Sequence, residues 1–270
     1  EYSRNLMTVR IAKILGVEEI LNLSKKLNIY EEIPELLSVS LGAAETTLIS
    51  LTSAYAPFVN GGIKINPKLI SRIQDRRGKT IFQEQKRMCI GCDKFINEEI
   101  ELPKIENNNE RVISEETAYQ MTSILQGAVK RGTAKKLKSL KVPLAGKTGT
   151  TNDNYDAWFI GFSSNLVIGV YIGFDNPKTL GKFETGSKAA LPIFKNFIEN
   201  ALYKDDFDEF KIPEDIYLAS LNYDTGFKAA PGDKNSIIEA LKLRDINNID
   251  NNSLISTSGR DNTMKFRQFY

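Results

Sequence analysis

The sequence contains no histidine. That absence removes Ser-His-Asp triads, Cys-His pairs and histidine metal sites. Proton transfer must use lysine, carboxylate, tyrosine, cysteine or water. Cysteine is scarce: both residues lie in Cys89-Ile90-Gly91-Cys92. One such pair cannot complete a four-ligand zinc site within the chain. A local disulfide is the plain reading of Cys89 and Cys92, with free thiols or a metal half-site as alternatives. Net charge is nearly absent. The 36 Lys+Arg and 34 Asp+Glu leave +2, which is no nucleic-acid signature. A long unbroken apolar run is missing too. Ser163-Ser164-Asn165 divides the stretch from Ala157 to Phe174 into two strand-length pieces, so a β-hairpin is expected there rather than a membrane helix. Glu1 opens without the basic segment and apolar core of a signal peptide, and without a starting methionine. The expectation is a fragment or a processed product.

What is present suffices for a sizeable core: 270 residues, 41% hydrophobic and 26% charged. The most informative stretch runs from Ala145 to Asp153 and contains Lys147-Thr148-Gly149-Thr150. Pro143 and Leu144 lead in and two apolar runs follow, so this is read as a strand lining a site. Gly149 removes a Cβ where something must approach the backbone. Thr148 and Thr150 sit two apart, so on a strand their hydroxyls share a face. A lysine with two such hydroxyls suits a carboxylate. Two rival motifs fail. A phosphate-cradling loop would need a glycine at Lys141 and a helix starting at the lysine. An ion-pump phosphorylation site would need an aspartate at Gly146.

Along the chain, Leu6 to Leu15, Val17 to Leu27 and Thr46 to Asn60 have helical spacing. Met7, Ile11, Ile14 and Leu15 form an apolar stripe on the first, and Leu48, Leu51, Thr52, Tyr55 and Phe58 one on the third. Ile63 to Ile65, Leu69 to Ile73 and Ile81-Phe82 look like strands, with a turn at Asp75 to Gly78. A surface excursion is expected over about 75–113. Ser114 caps a helix continuing to Lys130. Lys130, Arg131, Lys135, Lys136, Lys138 and Lys141 form the densest basic cluster, read as a solvated face rather than a contact for an anionic polymer. Leu191 to Leu202 is an amphipathic helix with Ile193, Phe194, Phe197 and Ile198 on one face. Ile216 to Leu221 is a last strand, and Asn247 to Ser258 has a disordered composition. The pattern predicts an α+β fold.

K-T-G accompanies S-x-x-K and S-D-N in penicillin-binding proteins and β-lactamases. Ser3-Arg4-Asn5 is the S-x-N triplet that precedes Lys147. Beyond these motifs, Ser3 to Arg10, Leu41 to Thr47, Ala54 to Gly62, Ile73 to Gly78, Arg131 to Ala134 and Ala145 through Phe162 resemble the class A penicillin-binding proteins of type 1A. The resemblance spans most of residues 1–204 and touches the tail at Asp224-Thr225-Gly226.

The resemblance implies an antiparallel sheet flanked by helices plus a helical subdomain, the serine β-lactamase/transpeptidase fold, incomplete at its N-terminus. Residues 1–204 would be the C-terminal part of the transpeptidase domain and 205–270 a partly disordered extension. It implies D-alanyl-D-alanine transpeptidation through a serine acyl-enzyme. Lys147 would supply positive potential and aid proton transfer. Thr148 and Thr150 would bind the substrate carboxylate, and the Thr150 N–H would be an oxyanion donor. Gly149 would let substrate lie against the strand. Ser3 would pass a proton toward the leaving amine, and Asn5 would orient the substrate amide and the family's general-base lysine. No serine here has a lysine three positions later, as at Ser24, Ser71 and Ser139. The nucleophile is therefore expected outside this chain, which alone would be inactive. Implied partners are peptidoglycan stem peptides and glycan strands, β-lactam antibiotics, and the membrane through an upstream anchor, with no nucleic acid. The implied location is the periplasmic face of the bacterial inner membrane, which suits a Cys89–Cys92 disulfide. No metal or organic cofactor is implied.

Overall fold

The computed structural model describes residues 1–30, 32–84, 109–203 and 207–245, and the backbone alone of 89–90 and 104–105. The expected Cys89–Cys92 pairing and the Asn-rich stretch at 247–258 lie outside the described residues.

Two helices open the chain, α1 (Asn5–Leu15) and α2 (Val17–Lys26), separated by Gly16 at φ +89°. The expected stripe on α1 does not face inward. Ile11, Ile14 and Leu15 are exposed, and Ala12 is the buried residue of that helix. The expected helix over 46–60 is two: α3 (Leu48–Ala54), capped by Thr47, and α4 (Ala56–Val59). Pro57 breaks it, since it has no N–H to continue the ladder and disfavours helical geometry in the residue before it. Here the buried residues are Ala54 and Pro57, while Leu51, Thr52, Tyr55 and Phe58 are half-buried and Leu48 is exposed.

The region from 63 is sparer than expected. Ile63 to Ile65 contributes a single bridge, Ile63 to Arg111, rather than a strand. The next strand starts later than predicted, as β1 (Arg72–Gln74), and pairs with β2 (Thr80–Gln83). Asp75 closes the turn between them by accepting from the N–H groups of Arg77 at 2.8 Å and Lys79 at 2.9 Å. The strand residues of this ribbon are all exposed, and most of the expected excursion lies outside the described residues. β3 (Cys89–Ile90) and β4 (Lys104–Ile105) form a second short pair.

α5 (Glu115–Lys130) begins where its cap predicts. Ser114 Oγ accepts from Thr117 N–H at 3.3 Å, and Glu115 and Glu116 occupy the positive end of the helix dipole. Ser114→Ala is expected to cost about 1 kcal/mol in urea unfolding. An unchanged midpoint would show that the cap contributes nothing.

The central sheet is antiparallel: β5 (Ala145–Thr150), β6 (Ala157–Phe162) and β7 (Val167–Ile172), with β6 in the middle. The hairpin at 163–166 is where the polar triplet predicted it. α6 (Ala190–Ala201) crosses one face, and the core gathers Phe159, Leu137, Leu191, Phe194 and Ile198. The inward stripe of α6 is therefore Leu191, Phe194 and Ile198. Ile193 and Phe197, expected on that face, are 51% and 44% exposed, because the 3–4 residue spacing from Leu191 rotates them outward.

The last elements are β8 (Ile216–Asn222) and β9 (Ser236–Lys242), an antiparallel hairpin. Only β8 was expected. β9 is held against α5 by Gln120 Nε2 donating to the Ala240 carbonyl at 3.1 Å and Lys242 Nζ donating to Thr117 Oγ1 at 2.8 Å. Phe210 joins Leu125, Ala145 and Phe162 in a second buried cluster, so residues beyond 204 contribute to the core. Among the described residues, no helix is long and apolar enough to cross a membrane.

Candidate active site

Lys147 lies in the middle of β5, paired across the sheet with Ile160. Its ammonium donates to Ser3 Oγ at 2.9 Å and to the Thr148 carbonyl at 2.5 Å. Two motifs 144 residues apart in sequence thus meet through one hydrogen bond. Burial pushes the Lys147 ammonium below its ordinary pKa, because desolvation disfavours the charged form. Ser3 adopts φ +54°, a left-handed conformation uncommon for a serine. Asn5, two residues on, is exposed at the start of α1.

The two threonines share a face, as expected, but not with the lysine. Lys147, Ile160 and Gly169 are in register, and a Cβ at Gly169 would meet Leu48 and Thr52 of α3. Thr148 is in register with Phe159, whose ring meets Phe194 of α6 edge-on. Strand alternation therefore puts Lys147 and Gly149 toward α3 and the threonine side chains toward α6. The shared face expected for the two hydroxyls is therefore the face opposite the lysine. Thr148 is 9% exposed and donates to Thr133 Oγ1 at 3.0 Å. Thr150 Oγ1 accepts from Gly186 N–H at 3.0 Å. Gly149 lies beside Trp158, where an added Cβ would meet the Trp158 Cβ at 3.1 Å. β5 is an edge strand of its sheet among the described residues.

Sequence reasoning did not count Thr133, Arg131, Glu1 or Gly186 among the site residues. Arg131 was legible only as part of the basic cluster, and Arg131-Gly132-Thr133-Ala134 as part of the resemblance. Tyr55 is no candidate base, since burial pushes its phenol up to about 12. No cluster of three or more His, Cys, Asp or Glu residues suited to a metal ion occurs among the described residues.

The model of the penicillin-binding protein transpeptidase domain matches residues 1–199. The chain belongs to the penicillin-binding protein transpeptidase family. Within that family, it is 41% identical over 271 residues to penicillin-binding protein 1A of Rickettsia conorii, covering 98% of this chain and 34% of the relative. It is 34% identical over 274 residues to penicillin-binding protein 1A of Pseudomonas aeruginosa, covering 90% of this chain and 33% of the relative. The crystal structure of penicillin-binding protein 1A from Haemophilus influenzae superposes with a TM-score of 0.75 at 30% identity, over 89% of this chain and 38% of that one. The chain thus spans about a third of the length of these curated relatives. The α+β transpeptidase fold expected from the sequence is the fold these relatives share.

Proposed function

We propose that this chain is the C-terminal part of the transpeptidase domain of a class A penicillin-binding protein, and that it helps to cross-link peptidoglycan. The observation that carries the proposal is the 2.9 Å hydrogen bond from Lys147 Nζ to Ser3 Oγ. It joins the K-T-G and S-x-N motifs in a fold shared with penicillin-binding protein 1A relatives. In the reaction proposed, a serine supplied by an S-x-x-K motif outside these residues attacks the penultimate D-Ala carbonyl of a stem peptide. The C–O ester bond forms, the D-Ala–D-Ala amide C–N bond breaks, and the terminal D-Ala leaves with a proton. An amine of a second stem peptide then displaces the serine and forms the cross-link.

Ser3 relays the proton toward the leaving amine, drawing on the electrostatic field of Lys147. Burial holds the Lys147 ammonium below its ordinary pKa, the direction that eases proton release. Asn5 orients the substrate amide and the general-base lysine. Gly149 leaves room for substrate against β5, and the Thr150 N–H is an oxyanion donor. Thr148 and Thr150 reach the substrate carboxylate only by exchanging their present partners, Thr133 Oγ1 and Gly186 N–H. The proposal extends to residues 1–204 as the transpeptidase part and 205–270 as an extension to it. β-Lactams would be acylating inhibitors, glycan strands a partner, and the location the outer side of the inner membrane.

Intact mass after incubation with benzylpenicillin tests the assignment, on this chain and on the full-length synthase side by side. One added drug mass on the synthase and none on the chain is expected. Acylation of the isolated chain would put the nucleophile inside it. No acylation of either would favour a catalytically dead homologue.

A further inference from the structure

The turn after α5 touches both halves of the site. On one side, Thr133 Oγ1 accepts from Thr148 beside Lys147. On the other, the same turn forms a seat for Glu1, two residues before Ser3. Arg131 Nε donates to Glu1 Oε2 at 3.0 Å, and Arg131 Nη2 donates to Glu1 Oε1. The Thr133 N–H donates to the Glu1 carbonyl at 3.3 Å. Gly127 and Gly132 complete the seat, since a Cβ at Gly127 would run into the Glu1 carboxylate and one at Gly132 into its backbone carbonyl. A second carboxylate arrives from the C-terminal hairpin, where Glu239 Oε1 of β9 accepts from Arg131 Nη2 at 3.3 Å. The three side chains are 26%, 13% and 22% exposed for Arg131, Glu1 and Glu239.

This arrangement has a directional consequence. A guanidinium held by both its Nε and Nη2 fixes the plane of the carboxylate it binds, which a lysine ammonium cannot do. Ser3 sits between the seated Glu1 and the first turn of α1, in a left-handed conformation that its flanks must enforce. Held at both ends, the Ser3 backbone presents its hydroxyl to Lys147.

We infer that Arg131 is a positioning residue for Ser3, acting through Glu1 and braced by Glu239 of the C-terminal hairpin, so that the Ser3 hydroxyl stays at Lys147. The inference rests on the transpeptidase reading, in which Ser3 carries the proton during acylation. It gives the segment beyond residue 204 a part in the chemistry without contact with substrate.

The test is the reaction of the full-length synthase with benzylpenicillin, resolved into the acylation rate constant and the half-saturating drug concentration. Misplacing a proton carrier by about 1 Å costs roughly tenfold to a hundredfold in rate. Arg131→Lys keeps the charge but loses the fork. It is expected to lower the acylation rate constant by about tenfold or more, with the half-saturating concentration changed by less than about twofold. Glu1→Gln, which removes one charge from the seat and no volume, is expected to do the same. The two combined should be no slower than the slower single variant, because both break one link. If both variants acylate at the wild-type rate, or lose only drug binding, the positioning role is overturned while the transpeptidase reading stands. If the unmutated synthase is not acylated, the reading itself falls, and the inference with it.

Discussion

Lys147→Met in the full-length synthase is expected to lower benzylpenicillin acylation by about a thousandfold or more, equivalent to at least roughly 4 kcal/mol of transition-state stabilisation. The lysine is the one cation that donates to the Ser3 hydroxyl in this structure, among the described residues, and methionine keeps its length without its charge. The same substitution is expected to stabilise the fold at neutral pH. Burial lowers the lysine's pKa, so the unfolded chain binds the proton more tightly than the folded one. The wild type therefore carries its full penalty below the lowered pKa. It sheds that penalty as pH rises toward the ordinary lysine value. The advantage of methionine should be largest at neutral pH and shrink in alkaline buffer, read from thermal melts across pH. A variant that loses acylation and also loses stability at neutral pH would show that Lys147 is chiefly a structural donor. A variant that still acylates at the wild-type rate would remove Lys147 from the mechanism.

The second large effect is structural. Phe194→Ala is expected to destabilise the chain by roughly 3–5 kcal/mol, the range for emptying a fully buried aromatic site. Phe194 is completely buried, and its ring meets Phe159 edge-on with centroids 4.9 Å apart. Phe159 is in register with Thr148, so the cavity would open directly beneath the site strand. Unfolding in urea, followed by the fluorescence of the single tryptophan, Trp158, measures the loss. A midpoint that does not move would mean that α6 does not hold the sheet. The contrasting change, Phe197→Ala on the exposed side of the same helix, is expected to cost under about 1 kcal/mol, since little apolar area leaves water there. The sequence alone would have ranked the two phenylalanines as equals.

That pair illustrates where local pattern stops. Amphipathic spacing identified α6 as a helix, but Ile193, Phe194, Phe197 and Ile198 cannot all point inward on one narrow stripe, and only the sheet chose Leu191, Phe194 and Ile198. The alternation of β5 was fully legible and already separates Lys147 from Thr148 and Thr150. β9 went unrecognised because Ser236 to Lys242 stands beside Asp233 and Asn235, and its partner strand comes before an intervening turn.

The sequence by itself determined what short-range chemistry decides. It placed the cap at Ser114, the hairpin at Ser163 to Asn165, and the Lys147 strand. It also placed the chain in its family, because many motifs recur in one order. Only the tertiary structure decided that Lys147 meets Ser3, that Thr148 turns to Thr133, and that Arg131 seats Glu1 while reaching Glu239. Each of those contacts joins residues from 15 to 144 positions apart. No local propensity encodes such a pairing. It follows from which faces of β5 and α5 are buried, and burial is a property of the whole packed fold.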